Sequence, residues 1–149
     1  MKKNILITGG AGYIGSHIAE RINTNKYNII IYDNLVTGRK KLINKKAKFV
    51  KGDIKNLKQL SNTIKKNDIS LIIHLAAYLN IAEAEKKKGK YFKNNVGGTL
   101  NLVKACENSG VKSIIFSSSC SVYGNINGAV KEKHKLKPKS YYALSLIHI

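Results

Sequence analysis

The stretch Ile5-Leu6-Ile7-Thr8-Gly9-Gly10-Ala11-Gly12-Tyr13-Ile14-Gly15-Ser16-His17 does most to limit what this chain can fold into. An apolar run breaks into glycines and resumes with amphipathic spacing, the pattern of a strand, a tight turn and a helix start. Glycines 9, 12 and 15 have separate physical tasks: the first permits the turn, the second lets backbone approach a pyrophosphate, and the third lets helix pack closely on strand. A dinucleotide phosphate would then rest on the helix N-terminus, where free N–H groups and the positive dipole end favour an anion. Glycine spacing alone fits a surface turn equally well, so the rest of the chain has to decide.

Downstream, Ile14, Ile18 and Ile22 predict a helix with one apolar stripe, and Ile29 to Tyr32 reads as a central parallel strand buried on both faces. That strand ends at Asp33, where a dinucleotide fold places the acid that accepts hydrogen bonds from the adenosine ribose. A carboxylate there repels a 2′-phosphate and so selects NAD over NADP; the other reading of Asp33 is a turn or cap residue before Asn34. A third strand is expected over Ala47 to Val50, running into Gly52-Asp53-Ile54. Asp53 suits either a contact at the adenine end or the cap of a helix over Asn56 to Lys66, which carries Leu57, Leu60 and Ile64. Leu71 to Leu75 is the fourth strand, and Ala76-Ala77 leave room for a ligand at its carboxyl end. His74, set within the strand pattern, reads as a histidine of the core or one that supports a site from behind rather than as a catalytic group. A long helix is expected from beyond Gly89 to about Asn108, with Phe92, Val96, Leu100 and Leu102 or Val103 facing inward. Gly97-Gly98 inside it costs about 1 kcal/mol each relative to alanine, which close packing would offset. Asn94 and Asn95 are placed to hydrogen-bond neighbouring loops. Lys112 to Phe116 is the fifth strand and leads into Ser117-Ser118-Ser119-Cys120-Ser121-Val122-Tyr123-Gly124, a row of hydroxyls able to orient a reacting hydroxyl or carbonyl.

The formal charge of +19 would ordinarily raise nucleic acid as a partner. Arginine, which base and phosphate recognition favours, occurs only at Arg21 and Arg39, and the lysines are scattered, as an AT-rich coding sequence produces. No specific nucleic-acid partner is expected. Cys106 and Cys120 lack metal-ligand spacing, so no metal is expected and a reduced cytoplasmic setting is. No run is long enough to span a bilayer. At 149 residues the chain accommodates one α/β domain and is short for a separate substrate lobe.

Seven motifs stand in order: TGGAGYIGSH at 8–17, YDN at 32–34, GDI at 52–54, HLAA at 74–77, NNVGGT at 94–99, SSSCSVYG at 117–124 and YALS at 142–145. Together they resemble the extended short-chain dehydrogenase/reductase family, and within it the nucleotide-sugar epimerase branch, over residues 3 to about 145. The resemblance implies a Rossmann-like doubly wound parallel sheet, incomplete at five strands, with residues 1–143 as an NAD-binding domain and the substrate lobe missing. It implies NAD held by Gly9, Gly12, Tyr13, Ile14 and Gly15 at the pyrophosphate, Asp33 and Asn34 at the ribose, and Asp53 and Ile54 at adenine. Leu75, Ala76, Ala77 and Asn94 line the rest. Ser119 and Tyr142 would be the catalytic hydroxyls, with Ser119, Cys120 and Ser121 toward the substrate.

The implied activity is inversion at C4 of a UDP-hexose of the UDP-glucose/UDP-galactose type: Tyr142 takes the 4-hydroxyl proton, C4 passes hydride to NAD, and the 4-keto sugar turns before hydride returns. A free phenol titrates near 10, so a tyrosine base needs nearby positive charge, which the family draws from the nicotinamide and a lysine four residues on. Here that position is Leu146. Residues 144–149 resemble a translated adaptor tail, which sets the expectation of a genuine protein that continues with lysine, a substrate lobe and a homodimer interface. The fragment itself would have little turnover and would expose apolar surface. Dehydratases of the family carry Asp-Glu where this chain has Cys120-Ser121, which favours an epimerase. Leu79 replaces a lysine common near the cofactor in the branch. The other readings are a decarboxylase, dehydratase or reductase acting on nucleotide sugars, and an NAD-binding module without catalysis.

Overall fold

Residues 2–148 are described by a computed structural model, in which the chain forms two compact units. One comprises Met1–Ala76 and Asn101–Ser117, the other Ala77–Leu100 and Ser118–Ile149.

The first unit is built on five parallel strands: β1 (Lys3–Thr8), β2 (Tyr27–Asp33), β3 (Lys48–Lys51), β4 (Ile69–His74) and β5 (Ile114–Phe116). Their order is β3-β2-β1-β4-β5. Strand order therefore reverses at β1, and the crevice between the carboxyl ends of β1 and β4 is the place where such sheets take ligands. Leu6 pairs with Ile30 on one side and Ile72 on the other, and Ile7 with Ile31 and Ile73. Because successive side chains alternate faces, these runs fill two cores at once. Leu6, Ile30, Tyr32 and Ile72 meet Leu60 and Ile64 of helix α2 (Leu57–Lys66), with Leu102, Ala105 and Cys106 of α5 (Gly98–Glu107). Ile5, Ile7, Ile29, Ile31 and Ile73 form the other core with Ala19 of α1 (Tyr13–Arg21). Each such isoleucine contributes about 1.5–3 kcal/mol by leaving water. Burial, reinforced by the Glu107 charge, pushes the Cys106 thiol up to about 11, so it is an inert core residue.

His74 ends β4 almost fully buried, its Nδ1 2.6 Å from Thr8 Oγ1. Burial lowers its pKa to about 4. The folded state thus resists a proton that the unfolded chain accepts near pH 6.5. Stability is complete above that pH and declines as pH falls toward 4, by about 3 kcal/mol at most. Urea denaturation from pH 7 to 4 should show this loss, and His74→Gln should flatten it.

Several local expectations are corrected. In α1 the inward residues are Gly15, Ser16 and Ala19, with Ile18 and Ile22 partly buried, whereas Ile14 is 52% exposed. At 3.6 residues per turn, position 14 lies about 100° from Gly15, which faces the turn. The cap of α2 is Asn56, whose side chain accepts from the Gln59 amide; Asp53 does not cap it. β5 is three residues long and leaves Ile115 exposed.

The second unit contains α3 (Ile81–Lys86), α4 (Lys88–Tyr91), a π-helical segment (Phe92–Gly97), the start of α5, a 3-10 turn (Cys120–Tyr123) and α6 (Tyr141–Ile147). The lysine run Lys86-Lys87-Lys88 straddles the break between α3 and α4 on the exposed surface. The expected single stripe along the long helix is overturned: Phe92, Leu100 and Val103 are exposed, and Tyr91, Val96 and Leu102 are buried. The π turn shifts the helical phase, so a 3.6-residue pattern drawn through it does not stay on one face. Gly97 closes that turn, and a Cβ there would come no closer than 3.9 Å to the Phe92 carbonyl, so tight packing is not its reason. Helix α6 packs on α3, α4, the π segment and the 3-10 turn, and Ser140 caps it by accepting from the Ala143 amide. Among the described residues no helix is long and apolar enough to cross a membrane.

Candidate functional site

In the first unit the glycine turn is fixed by backbone contacts. Gly9 takes a left-handed φ of 72° and donates its N–H to the Tyr32 carbonyl at 2.9 Å, tying the turn to β2. A Cβ on Gly9 would meet the Ala76 nitrogen at 2.8 Å, so the segment after β4 passes directly against it. Gly15 is tighter still: a Cβ there would lie 2.5 Å from the Gly9 carbonyl oxygen and 2.6 Å from Gly10 Cα. Gly12 is different. A Cβ at Gly12 would meet only the Gly9 oxygen, at 3.2 Å, so its outer side is open. Gly12 also caps α1 without a side-chain hydrogen bond, which leaves first-turn N–H groups available to an anion. Tyr13 and Ile14 follow on that exposed first turn.

Asp33, at the carboxyl end of β2, is buried and accepts from Ala11 N at 3.0 Å through Oδ2 and from Leu35 N at 2.8 Å through Oδ1. The glycine turn and the acid are therefore one rigid element. Gly38 lies against the carboxylate, since a Cβ there would come 2.7 Å from Oδ1. Asn34 donates to Asp53 Oδ2 at 3.1 Å, and Asp53 Oδ1 accepts from Lys55 N. The Tyr32 hydroxyl donates to the Asp53 carbonyl; burial, helped by the Asp53 charge, pushes its pKa up to about 12 and keeps it a donor. The Ile54 side chain belongs to the core, while Leu75 and Ala76 lie partly buried just after β4, with Leu75 N donating to the Thr8 carbonyl. An open anion-accepting turn beside a carboxylate with unused lone pairs fits a dinucleotide.

In the second unit, Ser119 caps the 3-10 turn: its Oγ accepts from Ser121 N at 3.2 Å and lies 2.9 Å from Ser121 Oγ. Cys120 between them is exposed. Tyr142 is buried in the first turn of α6, and its carbonyl accepts from Ser145 Oγ at 2.7 Å. Asn95 secures this helix by donating to Ser145 Oγ at 3.0 Å. The same amide brackets the Tyr78 backbone, accepting from its N at 2.9 Å and donating to its carbonyl at 3.2 Å, next to Ala77. Asn94, also buried, donates to Asn95 Oδ1. Leu146 is buried in α6 and brings no charge to the position the family's lysine would take. Asn95→Ala should cost about 2–3 kcal/mol in a denaturant midpoint measurement, because it strands buried partners on two elements.

A profile of the NAD dependent epimerase/dehydratase family matches residues 5–149. The chain belongs to that family. A UDP-glucose 4-epimerase of Lacticaseibacillus casei is 37% identical over 142 residues, 95% of this chain and 43% of the relative. The crystal structure of UDP-glucose 4-epimerase from Brucella ovis in complex with NAD superposes with a TM-score of 0.93 at 36% identity, covering 97% of this chain and 45% of that one. The Thermotoga maritima UDP-glucose 4-epimerase, solved with UDP-glucose, gives 0.91 at 32% identity, covering 97% and 48%. The chain thus spans less than half the length of these three relatives. The Rossmann-like sheet is the fold of the N-terminal part of these epimerases.

Reading residues in order missed Gly38 against Asp33 and the reach of Asn95 to Ser145. The signal for Gly38 was a glycine shortly after the acid; that for Asn95 exists only once α6 is placed.

Proposed function

We propose that this chain is the NAD-binding portion of a nucleotide-sugar epimerase that inverts C4 of a UDP-hexose of the UDP-glucose/UDP-galactose type. The observation that carries the reading is the glycine turn bonded to Asp33 through the Ala11 amide, at the reversal of strand order. Gly9, Gly12 and Gly15, with the N–H groups of Tyr13 and Ile14, hold the pyrophosphate. Asp33 and Asn34 take the ribose hydroxyls, Asp53 and Ile54 the adenine, and Leu75, Ala76, Ala77 and Asn94 the remainder. NAD, when bound, supplies the hydride acceptor and donor for C4.

Tyr142, acting as its phenolate, takes the proton of the sugar 4-hydroxyl and becomes the phenol, while Ser119 Oγ holds the sugar oxygen, with Cys120 and Ser121 toward the sugar. Without a cation at position 146, the phenolate is poorly supported and the 149-residue chain turns over little or not at all. Exposed Ile114 and Ile115 on the outer strand support a complete protein in which further structure covers this edge. That protein is a cytoplasmic homodimer. The buried, uncharged Leu146 supports a second reading, an NAD-binding module without catalysis.

An independent read of the source DNA across codons 140–160, followed by expression of the protein so encoded, separates the two. Lysine at codon 146 with interconversion of UDP-glucose and UDP-galactose is the expected result. Confirmed leucine, with NAD binding and no interconversion, would replace the epimerase by the module.

A further inference from the structure

Four lysines, Lys2, Lys46, Lys48 and Lys66, line one groove of about 730 Å³ at the amino-terminal edge of the sheet. This is the edge opposite the glycine turn: the groove takes in Asn4 of β1, Asn28 of β2, Lys48 of β3 and Asp68 just before β4. Asp68 is the one carboxylate among its lining residues. Among the described residues, ion pairs engage Lys55, Lys87 and Lys90 only, so none of the four groove lysines is neutralised by an acid.

The floor is braced by side-chain hydrogen bonds. Asn28 donates to Asn4 Oδ1 at 2.8 Å, and Asn4 donates to the Asn67 carbonyl at 2.7 Å. Two ammonium groups are held at the rim, Lys48 on Asn67 Oδ1 at 2.6 Å and Lys2 on the Thr24 carbonyl at 2.8 Å. An ammonium has three donors, so each of these keeps two for a ligand. With several ammonium groups and one carboxylate on its lining, the groove attracts a multiply charged anion more strongly than a singly charged one.

The groove has the size of a small-molecule site. Lysines act as point charges that suit phosphate oxygens, and Tyr27 is the one aromatic lining residue, so stacked bases have little platform. We propose that this groove binds a short chain of phosphates, presented by inorganic triphosphate or by the tail of a nucleoside triphosphate, at a site separate from the glycine turn.

Calorimetric titration of the full chain with inorganic triphosphate and with ATP, each with and without saturating NAD, tests this. One triphosphate site is expected, with affinity unchanged by NAD and reduced at least about tenfold in the Lys46→Gln/Lys48→Gln/Lys66→Gln variant. The Lys86→Gln/Lys133→Gln/Lys135→Gln variant removes the same charge from exposed positions elsewhere and should bind within about twofold of the parent. Equal affinities for triphosphate and ATP assign the inorganic chain as sufficient, and tighter ATP assigns a nucleotide; either supports the site. Displacement of triphosphate by NAD, equal losses in the two variants, or no loss in the groove variant would overturn it. So would tighter binding of single-stranded oligothymidylate through the same lysines. The NAD-free arm reads the groove even if NAD does not bind. Should the triple variant fail to fold, Lys46→Gln and Lys66→Gln singly must each weaken binding.

Discussion

Gly15→Val is expected to abolish measurable NAD binding, a loss of about 100-fold or more, and to lower stability by about 1–3 kcal/mol. The first added atom already lies 2.5 Å from the Gly9 carbonyl oxygen and 2.6 Å from Gly10 Cα. Both are backbone atoms of the turn, so neither can swing away as a side chain would. Relief requires α1 to move off β1 or the turn to open, and either displaces the N–H groups that would face the pyrophosphate. The control is Gly89→Ala, since a Cβ at Gly89 would meet nothing within 4 Å. That variant should be neutral or slightly more stable, because alanine is the better helix former. Calorimetry with NAD and thermal denaturation of all three proteins check the pair. A Gly15→Val protein that binds NAD like the parent would show that the turn does not hold the cofactor.

Asp33→Asn should weaken NAD binding by about tenfold or more and narrow its preference over NADP. The carboxylate accepts from two backbone amides, Ala11 N and Leu35 N, one through each oxygen. An asparagine keeps one of those acceptors and turns an NH2 toward the other amide, donor against donor. The variant should therefore loosen the link between the glycine turn and β2 as well as the proposed contact to ribose. It also removes the negative charge that repels a 2′-phosphate, so NADP should lose less affinity than NAD. A variant that loses both cofactors equally would show that Asp33 acts on the turn alone.

The sheet was legible because parallel strands buried on both faces leave a continuous β-branched signature: Ile29 to Tyr32 and Leu71 to Leu75 read directly as strands. The glycine turn was legible for a related reason, since Gly9 and Gly15 answer steric demands made by the turn itself and by the segment after β4. Helical faces were less so. Ile14 fits an apolar stripe by spacing but falls off it because Gly15 dictates which side of α1 meets the turn. Of the stripe through Phe92, Val96, Leu100 and Leu102 or Val103, Val96 and Leu102 are buried, while Phe92, Leu100 and Val103 are not, because the π segment changes the rotation per residue, which composition does not announce. Asp53 was read as a possible cap of a helix starting at Asn56, whereas the cap is Asn56 itself, three residues before the Gln59 amide it accepts from. In the second unit, Ser119 and Tyr142 were proposed on resemblance alone, whereas the Asn95 to Ser145 hydrogen bond joins residues far apart in sequence and follows only from packing.

Calorimetric titration of the 149-residue chain with NAD and, separately, with NADP tests the cofactor assignment most directly. The expected result is saturable one-to-one binding of NAD, at least about tenfold tighter than NADP. A folded chain that binds no NAD, or that binds NADP as tightly, would contradict it.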